Sequence, residues 1–305
     1  MWRAVCALLL SAAAAHAEPP PGQLVPVFDT VLHLNCTGSG APAVVLEAGL
    51  AGNYLDWTLV QPQLAASTRV CSYDRAGAGY SARTARPRLA AAIAEELHEL
   101  VRAGGLARPF VLVGHSFGGL IAATYARDYP DDLAALVLLD AMHPAQFDAF
   151  AAAGVYVETD PHLVIGRTSG FASTYKLPES LHRLAMDLAL TDSARVFVFR
   201  EMARMIDSAH ALGTAPLPHL PARVLVHGNG EWRDVPPAGQ METVWTALQA
   251  DYAARLGAPP PEVVVDSGHQ IALDAPDAVV AAVLAVVAGY RENTTTASSR
   301  ADHKN

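Results

Sequence analysis

Charge is scarce in this sequence and cysteine scarcer. Only 17% of the 305 residues are charged, and three are cysteines. Acidic residues outnumber basic ones, 30 to 21, for a formal net charge of -9. Such a chain is repelled by a phosphate backbone, so nucleic acid is not an expected partner. No spacing of His, Cys and carboxylates matches a metal site, and neither metal nor cofactor is expected. No internal repeat and no interior linker is visible. A chain of this length, 51% hydrophobic, suits one large α/β domain or one domain with an insertion. Long apolar runs are missing too. Those near the two ends are short for a membrane span, so none is expected.

The ends are distinctive nonetheless. Arg3 precedes an apolar run that stops at Ala15-His16-Ala17, just before Glu18. That order reads as a secretory signal over residues 1–17, cleaved after Ala17, and predicts a secreted or periplasmic protein. Residues 18–24, with three consecutive prolines, read as a tether, and residues 291–305 as a polar, disordered tail. Cleavage removes Cys6 and leaves Cys36 and Cys71, as one disulfide or two buried thiols. Asn35-Cys36-Thr37 and Asn293-Thr294-Thr295 fit the glycosylation pattern.

Between the ends, short apolar runs alternate with helical patterns. Strands are expected over 25–28, 31–36, 43–46, 69–73, 110–113, 136–139, 223–227 and 262–266. Helices are expected over 57–64, 89–101, 240–256 and 277–289, with another after residue 116. From 145 to 216 the strand rhythm stops. Two amphipathic helices, near 179–190 and 192–212, suggest a helical cap inserted into a core of residues 25–144 and 217–290. The alternation predicts a mainly parallel sheet with helices on both faces. Ligand sites in such sheets lie beyond the carboxyl ends of the strands.

Phe110-Val111-Leu112-Val113 runs directly into Gly114-His115-Ser116-Phe117-Gly118-Gly119. A serine on a sharp strand-to-helix elbow needs small residues two positions to either side, and Gly114 and Gly118 supply them. The elbow presents the Ser116 hydroxyl and sets the Phe117 N–H where it can face a developing oxyanion. The small-residue loop Glu47-Ala48-Gly49-Leu50 ends another strand, and the Leu50 N–H is assigned as a second donor. Asp74-Arg75-Ala76-Gly77-Ala78-Gly79 lacks the third glycine and the helix start of a nucleotide-binding loop.

These motifs, with Ser267-Gly268-His269 after the last strand, occur in an order that resembles the α/β-hydrolase superfamily over residues 25–290. The resemblance implies an eight-stranded, doubly wound, mainly parallel sheet with a helical cap. It implies that Ser116 is the nucleophile and that His269 is the base that takes its proton. Two carboxylates compete to orient His269. Glu231 follows the seventh strand, the common family position. Asp140 ends the sixth, as in haloalkane dehalogenases and some lipases of the superfamily. Asp140 is preferred because Asp is the more usual length, and Glu231 stays open. His115 is implied to point away from the cleft, and Asp74 to brace its own turn. Cys36 and Cys71 would lie on neighbouring strands, which implies a disulfide.

The expected activity is carboxylic-ester hydrolysis through an acyl-enzyme, on a small-molecule ester or acyl substrate. Cofactor-free perhydrolysis of the haloperoxidase kind, lipase action and peptidase action can use the same three residues. A binding protein that kept the fold is the non-catalytic alternative. Epoxide hydrolases and dehalogenases of the superfamily use Asp as nucleophile, and Ser116 sets them aside.

Overall fold

The central strands are apolar along their whole length because both faces of the sheet are covered. The computed structural model describes residues 19–160 and 175–302. The expected leader, 1–17, and residues 161–174 of the expected cap lie outside the described residues. Eight strands form one sheet: β1 (Gln23–Val27), β2 (Thr30–Thr37), β3 (Val44–Glu47), β4 (Val70–Tyr73), β5 (Phe110–His115), β6 (Leu133–Leu139), β7 (Ala222–His227) and β8 (Glu262–Val264). Their order is β1-β2-β4-β3-β5-β6-β7-β8. β1 and β2 pair antiparallel, as do β2 and β4; the remaining pairs are parallel.

Successive side chains of a strand point to opposite faces. Leu112, Leu136 and Leu138 therefore join one core, while Val111, Val113, Val137 and Leu139 join the other. Helices α1 (Gln61–Ala65), α2 (Ala90–Ala103) and α3 (Phe117–Asp128) come before β6. Between β6 and β7 come α4 (Gln146–Ala152), α5 (Glu179–Ala189), α6 (Asp192–Met202) and α7 (Met205–Leu212). After β7 come α8 (Gln240–Leu256), α9 (Ile271–Asp274) and α10 (Pro276–Asp302).

Four local expectations are corrected. The helix expected over 57–64 is a 3-10 turn at Tyr54–Trp57 followed by the short α1, because Pro62 fits only a first helical turn. The helix expected over 192–212 breaks after Met202, which lets Glu201 and Met205 both reach inward. β8 stops at Val264, where Ser267 N–H bonds the Val264 carbonyl and turns the chain. The closing helix does not end near 289 in a disordered tail; it continues to Asp302. Arg291 ties it to the carbonyls of Ala41 and Ser67. Thr294, Thr295 and Thr296 bond carbonyls one turn back.

Cys36 and Cys71 face each other across the β2–β4 pair and are joined by a disulfide. The bond closes a loop with a sequence separation of 35 residues. Chain-entropy arguments put the stabilisation from a loop of that size at about 4 kcal/mol. Intact-mass analysis with and without reductant should differ by two protons, and reduction should lower the melting temperature. Equal masses would overturn the bond.

Candidate active site

The Ser116 elbow is built by close backbone approach. Ser116 sits at φ 51°, ψ -121°, a conformation that costs a non-glycine residue about 1–3 kcal/mol. A Cβ at position 118 would lie 2.3 Å from the Ala48 carbonyl oxygen, so glycine is required there. The elbow is tied to its neighbours by Ser116 N–H to the Leu139 carbonyl at 3.1 Å and by Met142 N–H to the Ser116 carbonyl at 2.8 Å.

His269 Nε2 lies 3.0 Å from Ser116 Oγ, and His269 Nδ1 lies 2.6 Å from Asp140 Oδ2. Asp140 is fully buried. Its Oδ1 accepts from Trp245 Nε1 at 2.7 Å, and its Oδ2 also faces His227 Nδ1 at 2.8 Å. Burial alone would raise the Asp140 pKa. Hydrogen bonds from His227 and His269, and their attraction when protonated, outweigh it and hold the carboxylate well below its ordinary value.

Glu231, the other candidate acid, takes a different place. Its Oε2 accepts the backbone N–H of His269 at 2.6 Å. His115 is buried outside the pocket, yet it touches the site from behind, with Nε2 2.8 Å from the His269 carbonyl. Burial and the neighbouring His269 push its pKa down to about 3. It is therefore neutral, with Nε2 as the donor. Asp74 braces its turn as expected, accepting from Tyr80 N–H at 2.9 Å and from Tyr54 N–H at 2.8 Å.

Ser116 and His269 open into a pocket of about 120 Å³. Leu50 and Phe117 line it, and Phe117 opens α3, where an N–H has no acceptor within the helix. Met142, Met205 and Met241 with Trp232 and Trp245 make the wall apolar. Gln146 of α4 and Met205 of α7 also line it. Larger hollows open beside Asn35 and Gly38, and neither includes Ser116 or His269. Among the described residues, no cluster of His, Cys, Asp and Glu is arranged to hold a metal, and no helix is long and apolar enough to cross a membrane.

The sequence reading missed two groups. Arg75 donates to the Ala48 and Gly49 carbonyls at 2.6 and 2.7 Å, which fixes the loop that carries Leu50. It also pairs with Glu47 and, through two bonds, with Glu201 of α6. The second group is His227 with Glu242 and Trp245. Position at the end of β7 was a signal for His227; nothing local marked Glu201 or Glu242.

A model of the alpha/beta hydrolase fold family matches residues 42–178. RutD of Klebsiella pneumoniae (strain 342), a proposed carbamate hydrolase, is 40% identical over 102 residues, 33% of this chain and 38% of that protein. The match thus spans well under two thirds of that relative. Solved structures are similar over most of the chain. A haloalkane dehalogenase loop variant from Bradyrhizobium elkanii has TM-score 0.69 at 19% identity, covering 90% of this chain and 98% of that one. A thermophilic esterase from Thermogutta terrifontis has TM-score 0.56 at 22% identity, covering 88% and 98%. At such identities the likeness speaks for the fold alone. With the sheet order and the serine elbow at the end of β5 in hand, the match assigns residues 42–178 to the alpha/beta hydrolase fold family, and the chain as a whole has that fold.

Proposed function

We propose that the protein is an exported serine hydrolase of short-chain carboxylic esters, with Ser116 as nucleophile, His269 as base and Asp140 as the acid that orients it. One observation carries the reading: an unbroken line of hydrogen-bond contacts from Ser116 Oγ through both nitrogens of His269 to the buried Asp140.

A serine hydroxyl is a weak nucleophile at neutral pH. His269 takes its proton as the oxygen attacks the ester carbonyl, and Asp140 stabilises the imidazolium that forms. The Phe117 and Leu50 N–H groups receive the carbonyl oxygen as its charge develops. His269 then returns the proton to the leaving alkoxide, and water, activated the same way, releases the acid. A 120 Å³ pocket walled by Met and Trp favours a short acyl group. The disulfide and the leader pattern support export.

The test is a fluorophosphonate label and p-nitrophenyl esters of increasing chain length, run beside Ser116→Ala. Labelling and turnover should vanish in the variant, and acetate or butyrate esters should outpace decanoate. Labelling without turnover would keep the nucleophile and redirect the search to other acyl substrates. Neither signal, from folded protein, would favour a binding role.

A further inference from the structure

We propose that His227, clamped between Asp140 and Glu242 with a proton on each ring nitrogen, is a positioning residue that sets the lower pH limit of the hydrolase. The proposal rests on the esterase reading above. His227 ends β7 with its side chain wholly buried. Its Nδ1 lies 2.8 Å from Asp140 Oδ2, and its Nε2 lies 3.0 Å from Glu242 Oε2. A neutral imidazole carries one N–H and one lone pair. With a carboxylate on each nitrogen, the neutral ring would turn its lone pair on a negative oxygen. Both contacts are hydrogen bonds only when both nitrogens carry protons.

The surroundings hold that state. Glu242 is fixed from its other oxygen by the Trp232 N–H at 2.6 Å. Trp232 packs edge-on to His227, with centroids 4.6 Å apart, and brings no charge. The groups that face His227 are thus Asp140 from the end of β6 and Glu242 from α8, with His269 on the far side of Asp140. Burial opposes the imidazolium, but bonding and attraction to Asp140 and then Glu242 raise the His227 pKa above its ordinary value.

Asp140 Oδ2 serves both histidines. A cation on one side of this oxygen weakens its pull on a proton on the other side. The His227 cation therefore disfavours a second cation at His269, and its removal should favour one. Because the His227 pKa is raised, the clamp is charged throughout the acid range where the base limb of the rate profile falls.

The experiment compares kcat/KM against pH for wild type, His227→Asn and Glu242→Gln on p-nitrophenyl acetate. Asparagine can still donate to Asp140 but carries no charge. The acidic limb should move up by about one pH unit in His227→Asn. Glu242→Gln should move it the same way by less, since it removes one negative charge along with the positive one. Superimposable profiles would overturn the proposal. So would a uniform loss of rate with no displacement of the limb, which is what a merely structural role gives. A second readout needs no substrate: proton NMR of Ser116→Ala should show two downfield imidazole N–H signals that disappear in Ser116→Ala/His227→Asn. Their absence would reject the clamp even if esterase activity is found. Their presence without turnover of any ester would reject the esterase reading and keep the clamp.

Discussion

Asp140→Asn should lower kcat/KM by about 10⁴-fold, the loss seen when the acid of a Ser-His-Asp triad becomes an amide. The surroundings of Asp140 explain why the amide fails. Its carboxylate accepts from His269, His227 and Trp245 and faces only donors. An amide NH₂ in that place finds no acceptor, and His269 loses the partner that selects its reactive tautomer. Glu231→Gln should cost less than about tenfold, because Gln keeps a carbonyl for the backbone N–H of His269. Steady-state kinetics on one short ester decides the matter, with circular dichroism to confirm folding. A large loss in Glu231→Gln and a small one in Asp140→Asn would transfer the acid role to Glu231.

Arg75→Met should destabilise the protein by about 3–5 kcal/mol, the range for breaking a buried ion pair by removing one partner. The guanidinium is flanked by Glu47 and Glu201, all three almost fully buried. Without it two carboxylates remain in the interior, and the Tyr73 hydroxyl and Arg88 are their remaining partners. The Glu47 pKa is already raised: burial lifts it, and Arg75 opposes the rise. Urea denaturation should report the loss, and a change below 1 kcal/mol would contradict it. Activity should fall too, by about 10²-fold, since Arg75 holds the Ala48 and Gly49 carbonyls next to Leu50, the proposed second oxyanion donor. Glu201→Gln keeps a carbonyl for Arg75 and should lose less on both counts. Through Arg75, Glu201 of α6 is tied to the loop at Ala48 and Gly49.

Much of this molecule was legible from local pattern. The apolar runs that became β3, β5 and β6 sit between two helical layers, so their hydrophobicity is continuous and readable. The elbow was readable because Gly114 and Gly118 answer a steric demand within five residues. Errors fell where local pattern is weak: at Pro62, at the break after Met202 and at the end of β8.

By itself the sequence determined the sheet, and it brought forward Ser116, His269 and two acids as candidates. Tertiary structure alone shows which acid meets the His269 ring and which meets its backbone. Asp140 and His269 lie 129 positions apart, and no periodicity relates them. Only the parallel pairing of β6, β7 and β8 brings their carboxyl ends together, with Asp140 inside and Glu231 at the rim against a backbone N–H. The same long-range pairing joined Arg75 to Glu201 across 126 residues and His227 to Asp140 across 87. A charge can be buried only where a partner meets it, and which partner does so is a property of the packed fold.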